Sequence, residues 1–280
     1  MSEVLYLNNE GVTMKNSTIG IYGTGNMAEA LVRGIIRTKW MMPDNIIAYD
    51  PSAERQNVMK AFGITMTDDI DLPSRQPIVL FAVKPQQIKK AVQLAAHNLS
   101  CNTIAVSIAA GIQLSTLLQT APYAKWARVM PNTPMLVGAG VSCISYDEKF
   151  RDEEKSLVKE IFSTASDVYE VHESLMDAVT AVSGSGPAYF LYMVELLADA
   201  GIKAGLPKEI AENLAVGTFY GAAKLLHETK EQPKVLRNRV TSPNGTTAAA
   251  IETFTKEGFE RIINAGVLAA YIRSKQLAGE

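Results

Sequence analysis

Three small residues near the start of the chain have the spacing of a phosphate-binding loop. They form the pattern G-x-G-x-x-A, from Gly23 to Ala28, between an apolar run at 18–22 and a helical pattern that follows. The first glycine of such a loop permits a tight turn, the second lets a pyrophosphate approach the backbone, and the third small residue lets helix and strand pack closely. Free N–H groups at the start of the helix then receive the anion. The residues expected to contact a dinucleotide are Gly23, Thr24, Gly25, Asn26 and Met27, and the alternative is a turn that binds nothing.

Asp50 stands where a dinucleotide site reads the adenosine ribose. It ends a second apolar run, "NIIAYD" at 45–50. A carboxylate there accepts from the ribose hydroxyls, which favours NADH, and repels the 2′-phosphate of NADPH. Ser52 and Arg55 lie close enough in sequence to offset that repulsion, and Asp50 could instead cap the next helix. The sequence therefore leaves both NADH and NADPH open.

A third apolar run ends in "FAVKPQQ" at 81–87. Ligands of open α/β sheets bind at the carboxyl ends of the strands. We therefore expect the cofactor to be contacted by Ala82, Val83, Lys84 and Pro85. Lys84 would touch phosphate or ribose, or it would simply be a solvated lysine at the end of a strand.

Three polar loops follow, and each has two readings. "VMPNTP" at 129–134 aims Asn132 into a cleft or is a turn between strands, and "SGSGPAY" at 183–189 lets a flat ligand or another backbone come close. "TSPNGTT" at 241–247 offers free N–H groups and the hydroxyls of Ser242, Thr246 and Thr247 to a carboxylate. Helix capping alone would also explain that last loop.

The elements that must position these loops divide the chain in two. Strand and helix patterns alternate up to about residue 165, and the strands are continuous apolar runs, which is typical of a parallel sheet covered on both faces. Helical patterns rich in Ala and Gly dominate afterwards. We predict an N-terminal Rossmann-type doubly wound α/β domain at 18–165 and an all-helical domain at 166–280. Residues 1–17 are expected to be a poorly ordered extension without the features of a signal peptide.

Composition excludes several classes of protein. The chain has 280 residues, 47% of them hydrophobic, and a formal net charge of −2, so no basic bias indicates nucleic acid. The two cysteines and three histidines show no metal-ligand spacing, so no metal is expected. No uncharged apolar run is long enough to predict a membrane span. The cysteine usage fits the cytoplasm.

Taken together and in this order, the glycine loop, "AVKP", "MPNTP", "AVSGSGPAYF" and "VTSPNGTT" resemble the pyrroline-5-carboxylate reductase family over nearly the whole chain from about residue 18. The last two motifs are the specific ones, because generic nucleotide-binding proteins lack them. One departure is Asn244, which stands where the family usually has the first of two glycines. Asparagine tolerates the left-handed backbone, so we expect the loop to keep its shape.

The resemblance implies a reaction and a site. The family reduces the C=N bond of 1-pyrroline-5-carboxylate with NAD(P)H to give L-proline, the last step of proline biosynthesis. It implies that Thr247 lies near the ring nitrogen as the catalytic hydrogen-bond partner and that Asn132 lines the nicotinamide side. It also implies a homo-oligomer built from dimers whose helical domains interlock, so that a partner subunit completes each site. The implied substrate-binding residues are Ser185, Ser242, Asn244, Gly245, Thr246 and Thr247.

Two rival interpretations fit less well. A β-hydroxyacid dehydrogenase has the same layout but uses a lysine on its first long helix, and here that helix has no lysine before Lys203. A nucleotide-binding sensor without turnover would have eroded hydroxyl loops, whereas "TSPNGTT" is nearly intact.

Overall fold

The structure, a computed structural model, describes residues 17–278. The predicted extension at 1–17 thus lies outside the described residues, apart from Ser17. The chain divides into two compact units. The first runs up to Gly184 and includes the segment from Tyr271 onward, and the second is Ser185–Ala270.

The first unit contains one sheet of eight strands in the order β3-β2-β1-β4-β5-β6-β7-β8. The first six strands are all parallel, while β7 runs antiparallel to β6 and β8 runs parallel to β7. The strands are β1 Ile19–Tyr22, β2 Ile46–Tyr49, β3 Thr65–Met66, β4 Ile78–Phe81, β5 Ile104–Ser107, β6 Lys125–Met130, β7 Gly140–Tyr146 and β8 Ser166–Glu170.

Helices cover both faces of this sheet, as the apolar strands predict. Along β1, Ile19 and Ile21 join a core on one face with α1 and α5, whereas Tyr22 joins a core on the other face with α3 and α4. This alternation is the period of two that any strand imposes on its side chains. The helices of the first unit are α1 Asn26–Arg37, α2 Ala53–Lys60, α3 Pro85–Ala95, α4 Leu114–Thr120, α5 Asp152–Ser163 and α6 Met176–Val179, followed by a π-helical turn at Thr180–Gly184.

The predicted parallel sheet is interrupted at β7, which runs antiparallel to β6. Only residues 131–139 connect β6 to β7, and they form a short 3₁₀ turn at Thr133–Val137 followed by Gly138 in the left-handed conformation with φ of 72°. A parallel connection needs a crossover of about a dozen residues or more. The chain therefore reverses, and β7 pairs antiparallel.

The sheet also extends past the domain boundary that the sequence predicts near residue 165. Strand β8, at Ser166–Glu170, pairs in parallel with β7, and the division into compact units falls after Gly184. Its sequence, "SDVYE", is polar at three of its five positions and lies at a sheet edge, so it lacks the apolar run that marks the buried strands.

The second unit is helical. Its helices are α7 Gly186–Lys203, α8 Lys208–Thr229, α9 Pro233–Arg239, α10 Thr246–Lys256 and the first part of α11 Phe259–Ala278. Small residues let α7 and α8 approach, since a Cβ on Gly201 would lie 3.3 Å from the Cβ of Ala211. Large apolar side chains stay exposed on these helices, among them Leu191 (67%), Leu214 (54%) and Leu268 (56%).

The backbone of β1 leaves no space for a side chain at Gly20, because a Cβ there would lie 1.9 Å from the carbonyl oxygen of Pro73. We expect Gly20→Ala to destabilise the first unit by about 1–3 kcal/mol, the usual cost of overpacking. Each kcal/mol lowers the melting temperature of a unit this size by about 2–4 °C. Thermal melting followed by circular dichroism measures this. The control is Gln93→Ala on the exposed face of α3, which should change stability by less than about 0.5 kcal/mol. A Gly20→Ala protein that melts with the wild type would contradict the close approach.

Candidate active site

The glycine loop joins β1 to α1 in a conformation that only glycine allows at its first position. Gly23 has φ of +85°, and a Cβ there would lie 2.8 Å from Cγ1 of Val83 and 2.9 Å from the carbonyl oxygen of Ala82. The Gly23 N–H donates to the carbonyl of Tyr49 at 2.9 Å. The loop is thus fastened to the ends of both neighbouring strands.

Gly25, the second glycine, leaves open space in front of the helix. It is the N-cap of α1 and provides no side chain to cap the first turn, and a Cβ on Gly25 would have no neighbour within 4 Å. The first N–H groups of a helix have no acceptor within the helix itself. The start of α1 therefore presents donors to open space, which is the arrangement that binds a phosphate.

Asp50 holds this loop in place. One carboxylate oxygen, Oδ2, accepts from the Thr24 N–H at 2.7 Å and the Thr24 hydroxyl at 2.9 Å, and the other, Oδ1, accepts from the Ser52 N–H at 2.9 Å. The cap of α2 is Ser52 and not Asp50, because the Ser52 side chain accepts from the Arg55 N–H. A carboxylate has about four acceptor positions, so one remains for a ribose hydroxyl.

Arg55 and Glu29 form an ion pair beside the loop. The Arg55 Nε donates to the Thr24 carbonyl at 2.6 Å, and its Nη2 donates to Glu29 Oε2 at 2.7 Å. The other oxygen of Glu29 accepts two bonds from Arg33, at 2.9 and 2.7 Å. Burial by itself raises the pKa of the Glu29 carboxyl, but the hydrogen bonds from Arg55 and Arg33 outweigh it, and the pKa lies below its ordinary value of 4.5. Sequence reasoning missed Glu29, although an acidic residue in a first helical turn with arginine four residues later was a usable signal.

The end of β4 lies at the same edge of the sheet. Strands β1, β2 and β4 end in register, with Tyr22 paired to both Tyr49 and Phe81. The Ala82 N–H donates to the Tyr22 carbonyl at 2.8 Å, and Pro85 starts α3 directly after the N-cap Lys84. Lys84 is exposed and makes no ion pair among the residues that the structure describes. The structure thus brings together the predicted residues 23–27, 50 and 82–85.

Asn132 lies at the carboxyl end of β6, but its amide is occupied inside the protein. It is 8% exposed. Its Oδ1 accepts from the Val141 N–H at 2.8 Å, and its Nδ2 lies 3.3 Å from the Ser183 carbonyl and 3.4 Å from the Ser183 hydroxyl. The side chain therefore ties "MPNTP" and β7 to the π-helical turn. Gly184 completes this junction, since a Cβ there would lie 2.3 Å from the terminal carbon of Met130.

The loop "TSPNGTT" at 241–247 lies in the second unit. Like the glycine loop before α1, it contains a glycine that is the N-cap of a helix. Asn244 adopts a left-handed φ of 59°, as expected for the residue in the place of a family glycine. Gly245 is the N-cap of α10 without a side-chain cap, and its N–H donates to the Ser242 carbonyl at 3.1 Å. A Cβ on Gly245 would lie 2.5 Å from the Ser242 hydroxyl. Ser242, Asn244 and Thr246 are exposed and Thr247 is half-buried, so the start of α10 is open to a ligand.

Ser185 is the residue immediately before α7, and its side chain makes no capping hydrogen bond within the described part of the chain. It is half-buried and opens the second unit. None of the helices in the described residues is long and apolar enough to cross a membrane. Among those same residues, no group of three or more His, Cys, Asp or Glu side chains is arranged to hold a metal ion.

Comparison with known proteins decides the family. Residues 173–277 match the family "pyrroline-5-carboxylate reductase dimerisation", and residues 18–111 match "NADP oxidoreductase coenzyme F420-dependent". The pyrroline-5-carboxylate reductase of Synechocystis is 40% identical over 92% of this chain and 97% of that protein, and the one of Arabidopsis thaliana is 38% identical over 93% and 95%. This chain belongs to the pyrroline-5-carboxylate reductase family.

Solved structures of the family superimpose on nearly all of this chain. The pyrroline carboxylate reductase of Plasmodium falciparum, solved with NADP bound, has a TM-score of 0.85 at 30% identity and covers 95% of this chain and 99% of its own. The pyrroline-5-carboxylate reductase of Coxiella burnetii has a TM-score of 0.89 at 32% identity, with 94% and 99% covered.

Pyrroline-5-carboxylate reductases reduce 1-pyrroline-5-carboxylate to L-proline with NAD(P)H. The predicted family, fold class, enzyme class and use of a nicotinamide cofactor are therefore confirmed. The open glycine loop fits such a cofactor, because its donors and its missing side chain leave room for a pyrophosphate. The match to the dimerisation family supports a homo-oligomer.

The two glycines of the loop should respond differently to alanine. We expect Gly25→Ala to fold like the wild type, because its methyl group enters open space, and to bind NADH at least about tenfold more weakly, because that space is where the pyrophosphate must come close. Isothermal titration calorimetry measures the affinity. Gly23→Ala is the comparison. It should lower the melting temperature, because its methyl group meets Val83 and Ala82. Unchanged NADH binding by a folded Gly25→Ala protein would contradict the assignment of the loop.

Proposed function

We propose that this chain reduces 1-pyrroline-5-carboxylate with the dinucleotide held at the Gly23–Gly25 loop and the substrate carboxylate held at the start of α10. The observation that carries this assignment is that α1 and α10 both have a glycine as N-cap, Gly25 and Gly245, at the end of a predicted binding loop. Each helix start is thus a receptor for an anion, and the reaction needs two: a pyrophosphate and a carboxylate.

The reaction needs no strong acid from the protein beside the ring nitrogen. When bound, NAD(P)H supplies the hydride. A protonated ring nitrogen makes the imine carbon electrophilic before any enzyme group acts. The chain's own residues then orient the substrate and exclude water, and orientation alone supplies a large part of the rate enhancement in such reactions.

The carboxylate is bound by the N–H groups at the start of α10 together with the hydroxyls of Ser242 and Thr247. Hydrogen bonds to an ionised acceptor are about twice as strong as neutral ones. The helix dipole adds a favourable term at the same end. Asn244 gives the loop its left-handed turn, and Thr246 supplies an exposed first-turn N–H and hydroxyl.

Thr247 is the proposed catalytic residue. It is half-buried in the first turn of α10, where its hydroxyl can reach both the carboxylate and the ring nitrogen of a substrate held there. Its hydroxyl would accept a hydrogen bond from the protonated ring nitrogen and so fix the orientation of the imine, or would relay a proton to that nitrogen where the imine binds unprotonated. Ser185 is proposed to contact the same substrate from the start of α7.

Asn132 is proposed to act on the nicotinamide side as a positioning residue. Its amide hydrogen-bonds to Val141 and Ser183 and not to the ligand. Asn132 would therefore act by fixing the shape of the loop that lines the cofactor. Lys84 and the residues around it are proposed to contact phosphate or ribose at the end of β4.

We also propose that the homo-oligomer is built from dimers through the second unit and that a partner subunit completes each active site. The support is the exposed apolar side chains on its helices, such as Leu191, Leu214 and Leu268. The proposed compartment is the cytoplasm, because the unpaired Cys101 and Cys143 suit a reducing environment.

The function is tested by following NADH and NADPH oxidation by the purified chain with and without 1-pyrroline-5-carboxylate. We expect oxidation only when the imine is present and L-proline as the product. Thr247→Ala should lower kcat/KM for the imine by about 10- to 100-fold, the effect of losing one hydrogen bond to a charged group. The matched control is Thr247→Ser, which keeps the hydroxyl. Full kcat/KM in the alanine variant would remove Thr247 from the mechanism.

The assembly proposal predicts that a charge on an exposed leucine of the second unit dissociates the oligomer. We expect Leu268→Glu to sediment as a monomer and to lose imine reduction while keeping NADH binding, because burying an unpaired charge in an apolar interface is costly. The matched control is Leu94→Glu, an exposed leucine of α3 in the first unit, which should leave the assembly intact. A fully active monomer would contradict the shared site.

A further inference from the structure

The position of Arg55 bears on which nicotinamide dinucleotide this chain prefers. Arg55 lies in the first turn of α2, directly after β2, where dinucleotide-binding folds read the adenosine ribose. An arginine in this region accommodates the 2′-phosphate that distinguishes NADPH from NADH. Between Asp50 and the middle of α2 it is the only cationic side chain in the sequence.

The guanidinium of Arg55 is nevertheless committed elsewhere. Its Nε bonds the Thr24 carbonyl at 2.6 Å and its Nη2 bonds Glu29 at 2.7 Å, so the side chain is folded back onto the glycine loop and α1. Only 23% of it is exposed. With Nε and Nη2 both bonded, the guanidinium is turned toward Thr24 and Glu29, and the Nε–Nη2 pair of donors is not available to a phosphate.

Glu29 is the residue that holds it there. The Glu29 side chain is 12% exposed and accepts from both Arg55 and Arg33. Arg33 is itself fixed, with its guanidinium carbon 4.7 Å from the centre of the Phe62 ring. The lowered pKa of Glu29 agrees with a carboxylate that stays charged between two arginines.

The remaining groups around this position also disfavour a second phosphate. Asp50 accepts hydrogen bonds from Thr24 and Ser52 and keeps one acceptor position, which suits a hydroxyl group. Glu54, exposed in the same turn of α2, adds another negative charge. A 2′-phosphate here would face two carboxylates and a guanidinium that is already neutralised.

We propose that Glu29 is a cofactor-specificity determinant, which withholds Arg55 from the ribose and so makes this chain bind NADH in preference to NADPH. The proposal rests on the dinucleotide site at the Gly23–Gly25 loop. It does not depend on the identity of the imine substrate, because it concerns the free enzyme and the cofactor alone.

Direct binding tests the proposal. Calorimetric titration of the full chain with NADH and with NADPH gives the ratio of the two Kd values, and we expect the wild type to bind NADH more tightly. Glu29→Gln keeps the shape of the side chain and removes its charge, which releases Arg55. The ratio should then move toward NADPH by about tenfold, the effect of one charge-assisted contact.

Two further variants separate this role from a general structural one. In the double variant Glu29→Gln, Arg55→Gln the gain toward NADPH should disappear, because Arg55, the cation that follows β2, is gone, whereas Arg33 lies on α1 over the Phe62 ring. Arg55→Gln alone should leave the ratio within about twofold of the wild type. Glu170→Gln is the matched control, since Glu170 also pairs with two cations, Lys155 at 2.9 Å and Lys159 at 2.8 Å, but at the end of β8. It should change nothing in cofactor binding.

Several outcomes would overturn the proposal. They are tighter binding of NADPH by the wild type, an unchanged ratio in a folded Glu29→Gln protein, or a loss of NADPH affinity in Arg55→Gln that exceeds the loss for NADH. Binding of neither dinucleotide would overturn it together with the cofactor site. A protein that binds NADH and NADPH in the expected ratio but does not reduce the imine would contradict the proposed function. It would not contradict the inference about Glu29.

Discussion

The close approach of Gly23 to the end of β4 is the constraint on which the cofactor side of this protein depends. With φ of +85° and no space for a Cβ against Val83 and Ala82, the residue turns the chain directly from β1 into α1. That turn sets the start of α1 beside the ends of β2 and β4. The open donors of α1, the bond of Asp50 to Thr24 and the fold of Arg55 onto the loop all require it.

The protein uses the same device twice. Gly25 and Gly245 are both N-caps in the extended conformation, with φ and ψ of −65° and −178° in one and −82° and 171° in the other. Glycine at the N-cap has no side-chain oxygen to accept from the first turn, so the free N–H groups of that turn stay available for an anion. Most helices prefer Ser, Thr, Asp or Asn at the N-cap because these residues satisfy such groups. A glycine N-cap at these two helices forgoes some helix stability and leaves two places where an anion can bind.

The polar side chains at the carboxyl ends of the strands differ in whether they keep hydrogen-bonding positions free for a ligand. The amide of Asn132, which is expected to line the nicotinamide side, joins Val141 of β7 to Ser183 of the π-helical turn. Glu29 is likewise bonded within the protein, because its two carboxylate oxygens accept from Arg33 and Arg55. Asp50 differs from both, since its carboxylate accepts from Thr24 and still keeps one acceptor position free.

The sequence by itself determined the local features. Glycine spacing, apolar runs and helical periods predicted the glycine loop, the buried parallel strands and the helical character of the later part of the chain, because each depends on residues close together in the sequence. Tertiary structure alone decided the reversal of β7, the addition of β3 and β8, and the partners of Asp50, Asn132 and Arg55. Strand β3 has only two residues and β8 is mostly polar, so both owe their conformation to the neighbour they pair with. The partner of a polar side chain, likewise, is set by which segments the fold brings within about 3 Å of it, and that distance is not written in the order of the residues.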